Sequence, residues 1–239
     1  KETLALIKGA VKMELFHRLS GQRLLDELRL LFSERAPRQA VRRLADLDLL
    51  RFLHPALAWS TRLDRRLNDL EAALDWYRLS CLGRTINGWV VYAMALAEVM
   101  PDQAVRDMLA RLPFTEAERT AITQARFLTQ PVCRALTRRA PLRPSDTVAA
   151  LAGLSDECLV FLLAKNTSGT AKRSLSQYLT TYRDVKPVLT GKALQAYGLK
   201  PGPLYRKILE RLTEARLNGE VHSEAEEQAL VKEFIERRR

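Results

Sequence analysis

Apolar residues recur every three or four positions along most of this chain, and this period constrains the fold more than any other feature. It is the repeat of one face of an α-helix, whereas a half-buried strand requires apolar and polar residues to alternate. The clearest stretch has its apolar residues at Leu63, Leu67, Leu70, Leu74 and Tyr77. The sequence therefore predicts an all-α fold, arranged as an elongated array of helical modules.

Capping residues and prolines mark where the predicted helices begin. Ser20 is placed to cap one helix, Pro37 stands where the next begins, and Ser60 opens a long one. Thr115 and Glu118 have the spacing of a capping box, in which each side chain bonds the backbone N–H of the other. The first predicted helix has its apolar face at Leu4, Ile7, Val11 and Leu15.

The segment 86–100 is apolar on most sides, which predicts the central helix of a bundle. Its fifteen residues are fewer than the ~20 that a membrane helix needs, so no membrane partner is expected. The first eighteen residues mix charge into every turn, unlike a signal peptide. Cys81, Cys133 and Cys158 are far apart and odd in number, which argues against a disulfide framework. Together these features predict a cytoplasmic protein with buried thiols.

The chain has a formal net charge of +11, and most of the excess lies in one tract. Between Lys165 and Lys207 there are nine basic residues and one acidic residue, Asp184, so this basic tract carries +8. The other 196 residues carry only +3. A basic surface attracts polyanions over long distances, which makes the tract the first candidate for contact with a nucleic acid.

The basic tract contains a Gly-Leu-Lys-Pro-Gly-Pro step at 198–203, which predicts a turn and then the start of a helix. Proline is tolerated there because the N–H that it lacks would have no partner within the helix. The free N–H groups and the dipole of a helix start favour an anion such as a phosphate, and Gly202 would let the backbone approach it. The same pattern is also typical of a tight turn between two helices that binds nothing.

The sequence contains no convincing catalytic or metal-binding constellation. His17, His54 and His222 are not within ligand spacing of one another. Asp46 and Asp48 have the Asp-x-Asp spacing of Mg²⁺ sites, but such a pair requires an extended strand. Here the pair lies at the end of a predicted helix, where residues i and i+2 face apart. We therefore predict no catalytic and no metal-binding residue in this chain.

Two ordered segments carry a resemblance to known proteins. The first comprises Leu-Ser-Gly-Gln-Arg-Leu-Leu-Asp-Glu-Leu at 19–28, Ala-Val-Arg-Arg-Leu at 40–44 and Leu-Leu-Arg-Phe-Leu-His-Pro at 49–55. The second runs over 191–221 and includes the step at 198–203. The first is similar to the neck, and the second to the tail, of the bacterial class II tRNA nucleotidyltransferase and poly(A) polymerase family.

The resemblance implies a neck at 1–57 of the RNA-binding type of poly(A) polymerases, a helical body at 58–165 and a basic, RNA-binding tail at 166–239. The body resembles long-form members, which carry DHH-type phosphoesterase and CBS domains upstream. The family's catalytic head, with its metal-binding Asp-x-Asp, has no counterpart here. The fragment itself is therefore expected to be non-catalytic and without a cofactor. Mg²⁺ and ATP or CTP are expected for the head of a parent nucleotidyltransferase.

The resemblance and the basic tract together favour a part that binds tRNA-like RNA at its acceptor arm and elbow and positions its 3′ end. The predicted RNA-binding residues are Lys172, Arg173, Lys192, Lys200, Gly202, Arg206 and Lys207. They would contact the phosphate backbone, so recognition would follow RNA shape rather than base sequence. Tyr197 and Tyr205 either stack on exposed bases or belong to the core. The alternative hypothesis is a helical scaffold for protein association, with the basic tract as a solvated face or a dock for an acidic partner.

Overall fold

A computed structural model of the chain describes residues 2–80, 83–137, 142–197 and 202–236. Its α-helices, labelled in chain order, are α1 Glu2–Lys12, α2 Gly21–Ser33, α3 Pro37–Asp46, α4 Thr61–Leu79, α5 Gly88–Val99, α6 Asp102–Arg111, α7 Glu116–Thr123, α8 Thr129–Leu136, α9 Pro144–Leu151, α10 Asp156–Lys165, α11 Gly169–Thr180, α12 Gly191–Gln195, α13 Pro203–Leu217 and α14 Glu224–Glu236. No strand occurs in these described ranges, and the predicted all-α fold is confirmed.

The chain divides into two compact units. The first consists of Lys1–Cys133 and Leu154–Gly169, and the second of Arg134–Gly153 and Thr170–Arg239. The first unit contains α1 to α7 and α10, while the second contains α9 and α12 to α14. The division into neck, body and tail at residues 57 and 165 stays a prediction.

Helix α5 is the centre of the first unit. Its side chains from Trp89 to Glu98 are all buried, and it packs against α2, α4, α7 and α10. The N-terminus of α4 is capped by Ser60, whose hydroxyl accepts the N–H of Leu63 at 3.1 Å. The buried stripe of α4 is the predicted one, Leu63, Leu67, Leu70, Leu74 and Tyr77. Burying each of these leucines stabilises the unit by roughly 1.5–3 kcal/mol.

The start of α2 lies against the end of α6. The Ser20 hydroxyl caps α2 by accepting the N–H of Arg23 at 3.3 Å, as the sequence predicts. A Cβ added at Gly21 would overlap the backbone carbonyl oxygen of Arg111, so this close approach requires glycine. At the other end of α2, the ring of Phe32 stacks on Tyr92 of α5 with centroids 5.2 Å apart. These contacts fix α2 on the first unit.

The first helix is shorter than predicted. Leu15 does not continue the apolar face of α1, because α1 ends at Lys12 and Leu15 begins a 3₁₀ turn in which it is 37% exposed. Glu14, just before this turn, has a φ of 55°, in the left-handed region that a helix does not continue through. Val11 is the one buried residue of α1.

A capping box begins α7, as the sequence predicts. The Thr115 hydroxyl accepts the N–H of Glu118 at 3.3 Å, and the Glu118 carboxylate accepts the N–H of Thr115 at 2.8 Å. The helix continues through a π-helical turn at Gln124–Leu128 into α8. The Thr129 hydroxyl, which is buried, bonds the carbonyl of Ala125 at this turn.

The C-terminal helices α12, α13 and α14 share one apolar core in the second unit. Its buried members are Leu189, Leu194, Tyr205, Ile208, Leu212 and Val231. Helix α13 ends before Gly219, whose φ of 71° is left-handed. Ser223 and Glu226 form a cap at the start of α14, with the Ser223 hydroxyl accepting the N–H of Glu226 at 3.3 Å.

Within the described ranges, no single helix is both long enough and apolar enough to cross a membrane. Helices α9 and α10 reach the required length and composition only when the two are counted together.

Candidate nucleic-acid interface

A buried ion pair fixes the backbone that leads into α12. The Glu227 carboxylate on α14 is fully buried and lies 3.1 Å from Nε of Arg216 on α13. It also accepts the backbone N–H groups of Val188 and Leu189, at 3.1 and 2.8 Å. A buried carboxylate is tolerated when its charge is paired and its oxygens are hydrogen-bonded, and Glu227 meets both conditions. The pair therefore ties the segment before α12 to both long C-terminal helices.

Three of the predicted RNA-binding residues lie beside the contact between α12 and α13. A Cβ at Gly191 would sit 3.8 Å from Cδ2 of the Tyr205 ring, so the two helices approach closely at this point. Lys192 follows Gly191 on α12, and Arg206 and Lys207 follow Tyr205 on α13. All three cations are exposed, so a polyanion that reaches this helix pair can contact both helices.

Arg206 has one carboxylate partner, and this partner does not bury it. Its Nε lies 2.9 Å from the Glu210 carboxylate one turn later, while its side chain stays 84% exposed. Exposed pairs at this spacing contribute only about 0.3–0.5 kcal/mol. The guanidinium is therefore still accessible to a phosphate.

The two earlier predicted residues, Lys172 and Arg173, lie on α11. Both are exposed, while Ala171, Ser174 and Leu175 beside them are buried. Helix α11 thus directs its two cations to solvent. The predicted contact residue Lys200 lies outside the described residues, as do the other residues of 198–201.

The start of α13 offers fewer N–H groups to an anion than its sequence suggests. Gly202 is the N-cap residue and has extended backbone, with a φ of 166°, and no side-chain cap bond. Pro203 has no N–H, and the N–H of Tyr205 already donates to the Gly202 carbonyl at 3.0 Å. Neither Pro203 nor Tyr205 therefore offers a free backbone N–H to an anion. An anion at this helix start would therefore depend on the nearby cations more than on the backbone.

Of the two tyrosines considered for base stacking, Tyr205 is a core residue and Tyr197 is partly buried. Tyr205 is buried in the apolar core of the C-terminal helices, and Tyr197 packs partly buried against it. Burial excludes stacking of the Tyr205 ring on an RNA base, so the core interpretation holds for Tyr205. For Tyr197, both alternatives stay predictions. Among the predicted residues that the structure describes, the exposed groups are the cations and Gly202.

Helix α3 presents a second basic surface, which sequence reasoning did not single out. Its arginines Arg38, Arg42 and Arg43 line a groove of about 430 Å³ together with Trp59 and two carboxylates, those of Asp46 and Asp64. The guanidinium of Arg42 lies over the Trp59 ring, 5.0 Å from its centroid. Arg38 donates to Asp64 at 2.7 Å, and this bond holds the pKa of the Asp64 carboxyl below its ordinary value. Arginines interleaved with an aromatic ring are typical of surfaces that bind nucleic acids.

The same N-terminal region has an apolar groove of about 1040 Å³ between α2 and the segments that follow it. Leucines dominate its lining, and Leu30 at its edge is 65% exposed. A groove of this character can bind an apolar surface of a protein, but it lacks the clustered cations that a polyphosphate requires.

Asp46 and Asp48, which have the spacing of a metal-binding motif, each pair with an arginine. Asp46, at the end of α3, accepts a bond from Arg42 at 3.2 Å, and Asp48 lies 2.8 Å from Nε of Arg51. Asp48 has a φ of 57°, so the two carboxylates do not share an extended strand. No group of three potential metal ligands occurs in the part of the chain that the structure describes.

The described cysteines fit a structural role. Cys133 and Cys158 are not disulfide-bonded, and Cys158 is buried. Burial raises the pKa of the Cys158 thiol to about 12. A thiol that stays protonated at neutral pH is a poor nucleophile, so Cys158 serves packing rather than chemistry.

Comparison with known proteins relates the chain to tRNA nucleotidyltransferases. Residues 1–60 match a family model described as "Probable RNA and SrmB-binding site of polymerase A". Over 231 residues, 95% of its length, the chain is 37% identical to the A-adding tRNA nucleotidyltransferase of Geobacter sulfurreducens. The resemblance to the tRNA nucleotidyltransferase and poly(A) polymerase family is confirmed. The chain spans 26% of the length of that relative.

Solved structures of CCA-adding enzymes share the fold of the chain. The Thermotoga maritima CCA-adding enzyme complexed with tRNA aligns with a TM-score of 0.79 and 21% identity, over 98% of this chain and 56% of that one. CCA-adding enzymes in complex with ATP and with CTP align with TM-scores of 0.76 and 0.77, both at 22% identity and over 56% of their chains. These alignments cover 98% and 99% of this chain. The described helices thus correspond to about half of each nucleotidyltransferase.

Proposed function

We propose that this chain binds tRNA and presents its 3′ end to the catalytic part of a tRNA nucleotidyltransferase. The observation that carries the proposal is the 37% identity to an A-adding tRNA nucleotidyltransferase along 95% of the chain. The Thermotoga maritima CCA-adding enzyme, whose structure is a complex with tRNA, supports the same partner. The N-terminal match to an RNA-binding region and the exposed cations near the C-terminus agree with it.

The binding would use two basic surfaces that contact RNA phosphates. The first is the α3 surface with Arg38, Arg42 and Arg43, and the second is the set Lys172, Arg173, Lys192, Lys200, Gly202, Arg206 and Lys207. Contacts to phosphates set position and register but carry no sequence information. The A-form acceptor arm and the elbow of tRNA would then be recognised by shape.

Nucleotide addition would be performed by a part of the protein outside this chain. Mg²⁺ and ATP or CTP would be bound there, since relatives have been solved with these two nucleotides and this chain matches about half of their length. Phosphoryl transfer of this type relies on metal ions held by carboxylates, and Asp46 and Asp48 are paired with arginines instead. Cys133 and Cys158, which are not disulfide-bonded, suit the reducing cytoplasm as the compartment.

A salt titration tests this function directly. The 239-residue chain is titrated with a tRNA transcript at several salt concentrations, and the dissociation constant is measured by filter binding. We expect the logarithm of the affinity to fall linearly with the logarithm of the salt concentration, by about 0.7–0.9 per phosphate contact. A control RNA duplex of unrelated sequence should show a similar slope but weaker binding, because it lacks the elbow. No binding at low salt, or a flat response to salt, would contradict the proposal.

The apolar groove beside α2 favours a second candidate function, a scaffold for protein association. Its leucine-rich lining, with Leu30 exposed at the edge, suits the apolar face of a protein helix. Size-exclusion chromatography with light scattering separates the two functions. A tight oligomer without affinity for RNA would favour the scaffold, whereas a monomer that binds tRNA would favour the nucleotidyltransferase part.

A further inference from the structure

Three cations converge on a single buried carboxylate in the first unit. Glu98 of α5 has a side chain only 5% exposed, and its Oε2 lies 2.6 Å from Nε of Arg66 on α4. Arg62 and Lys165 lie 3.4 and 3.6 Å from Oε1 of the same carboxylate. Lys165 belongs by sequence to the basic tract, but the structure places it here, at the end of α10.

One of these cations would be enough to neutralise the negative charge of the Glu98 carboxylate. Arg66 already makes two bonds to the carboxylate and a third to the carbonyl of Ala164, at 2.9 Å. Burial raises the pKa of the Glu98 carboxyl, but the bond and charge of Arg66, with Lys165 and Arg62, outweigh burial and hold the pKa below its ordinary value. Glu98 is therefore ionised at neutral pH, and the cluster of three cations and one carboxylate has an excess positive charge.

The excess charge faces an open pocket of about 250 Å³. The lining residues are Thr61, Arg62, Arg65, Arg66, Asp69, Lys165 and Thr167. Arg65 is exposed and adds a fourth cation, against one additional carboxylate, that of Asp69. The volume is below the roughly 300–1,000 Å³ of small-molecule sites, yet ample for one phosphate group. Guanidinium forks and threonine hydroxyls are the donors that phosphate oxygens accept.

We propose that this pocket binds one phosphodiester group of the RNA backbone, with Arg62 and Arg65 as its principal donors. The inference rests on the proposed function and extends it to the first unit. Arg66 and Lys165 would hold Glu98 and supply the positive field, whereas Arg62, 62% exposed, and Arg65 are free to turn toward the ligand. The contact would be independent of base sequence.

The test compares the double variant R62Q/R65Q with wild type and with R106Q. Arg106 is a matched control, because it is an exposed arginine whose Nε bonds Gln103 on its own helix. We expect R62Q/R65Q to bind a tRNA transcript more weakly, with the same fold loss for an unrelated duplex, and to reduce the salt slope by about one. R106Q should match wild type. Unchanged thermal unfolding of R62Q/R65Q verifies that the variant is folded.

A titration with inorganic phosphate distinguishes the source of the ligand. The arginine Nε–H resonances of the wild-type chain are followed by NMR at constant ionic strength, and saturable shifts of Arg62 and Arg65 are expected. If RNA binding by R62Q/R65Q has the same salt slope as RNA binding by wild type, the inference is overturned. This holds even if inorganic phosphate shifts the arginine resonances of wild type. That result would leave the proposed function standing, since wild type would still bind tRNA. Failure of wild type to bind tRNA at low salt would instead remove the proposed function and this inference together.

Discussion

Arg216 donates from Nε to the fully buried carboxylate of Glu227, 3.1 Å away, and so joins α13 to α14 beneath the segment that leads into α12. The same arginine donates to the carbonyl of His222 at 3.1 Å, which connects it to the turn before α14. Together with the apolar core, this ion pair therefore helps to position the helices that carry Lys192, Arg206 and Lys207. The geometry of the basic surface depends on a carboxylate that contacts no RNA.

Replacing Glu227 by glutamine tests this dependence. Glu227→Gln leaves Arg216 without its charge partner, and we expect the free energy of unfolding to fall by about 2–3 kcal/mol, since Arg216 keeps some access to solvent. Urea unfolding measures the loss, and tRNA affinity should fall with it. Glu236→Gln, at an exposed position of the same helix, is the control and should change neither quantity. Wild-type stability in Glu227→Gln would show that the pair does not support this fold.

Removing three cations tests the C-terminal surface itself. In the variant K192Q/R206Q/K207Q, the salt slope of tRNA binding should fall by about two to three, because each lost phosphate contact removes about 0.7–0.9. The fold loss should be equal for RNAs of different sequence. Lys232→Gln, at an exposed position of α14, should bind as wild type does. A triple variant with wild-type affinity would place the RNA elsewhere on the chain.

Two glycines should respond to alanine in opposite directions. A Cβ at Gly21 would overlap the Arg111 carbonyl oxygen, so Gly21→Ala should lower the free energy of unfolding by about 1–3 kcal/mol. Gly9 lies within α1 with nothing within 4 Å of an added Cβ, so Gly9→Ala should raise the stability of the helix by about 0.5–1 kcal/mol. Thermal unfolding of both variants measures the contrast. Equal effects of the two substitutions would disprove the close approach at Gly21.

The stability contributed by Glu98 should depend on pH in a defined direction. The pKa of its carboxyl is held below the ordinary value of 4.5 in the folded state, despite burial, by Arg66, Lys165 and Arg62. A lowered folded-state pKa means that the contribution is complete above about pH 4.5 and is lost as the pH falls through the lower folded-state value. Glu98→Gln should therefore cost about 2–3 kcal/mol at neutral pH and less below pH 4.5.

Unfolding in urea over a pH series measures this difference. Glu27→Gln, at an exposed position of α2, is the control and should follow the wild-type curve. A cost of Glu98→Gln that stays constant from neutral pH to below pH 4.5 would show that the carboxylate charge does not matter.

The helices could be predicted from sequence because their signals are local. The caps formed by Ser20, Ser60 and Thr115 each bond a backbone N–H three residues later, within the reach of a sequence pattern. The buried stripe of α4 could be predicted because apolar residues must recur about every 3.6 residues for one face of a helix to be buried. The end of α1 was missed because Glu14 adopts a left-handed φ of 55°, which residues other than glycine rarely do.

The long-range ion pairs could not be predicted. Glu227 resembles the exposed Glu224 and Glu226 beside it, and its burial depends on backbone N–H groups at 188–189, far away in sequence. Lys165 was counted with the basic tract, although it pairs with Glu98 in the first unit. Such pairings arise from tertiary packing, and no local period encodes them.

The basic tract correctly predicted one group of exposed cations, but it did not predict every basic surface of the chain. Lys172, Arg173, Lys192, Arg206 and Lys207 are exposed as expected. The arginines of α3 were missed because nearby acidic residues balance them in a net charge, even though the side chains lie on one surface. The net charge of a segment sums the residues on all faces of its helices. Only the fold shows which of those residues share one surface.

The central claim, that RNA contacts the cations near the C-terminus, is tested most directly by lysine acylation followed by mass spectrometry. The wild-type chain is acylated with and without a saturating tRNA transcript, and the reactivity of each lysine is compared. We predict that tRNA protects Lys172, Lys192 and Lys207, that high salt removes the protection, and that Lys232 reacts equally in all samples. Equal reactivity of Lys172, Lys192 and Lys207 with and without bound tRNA would contradict the account.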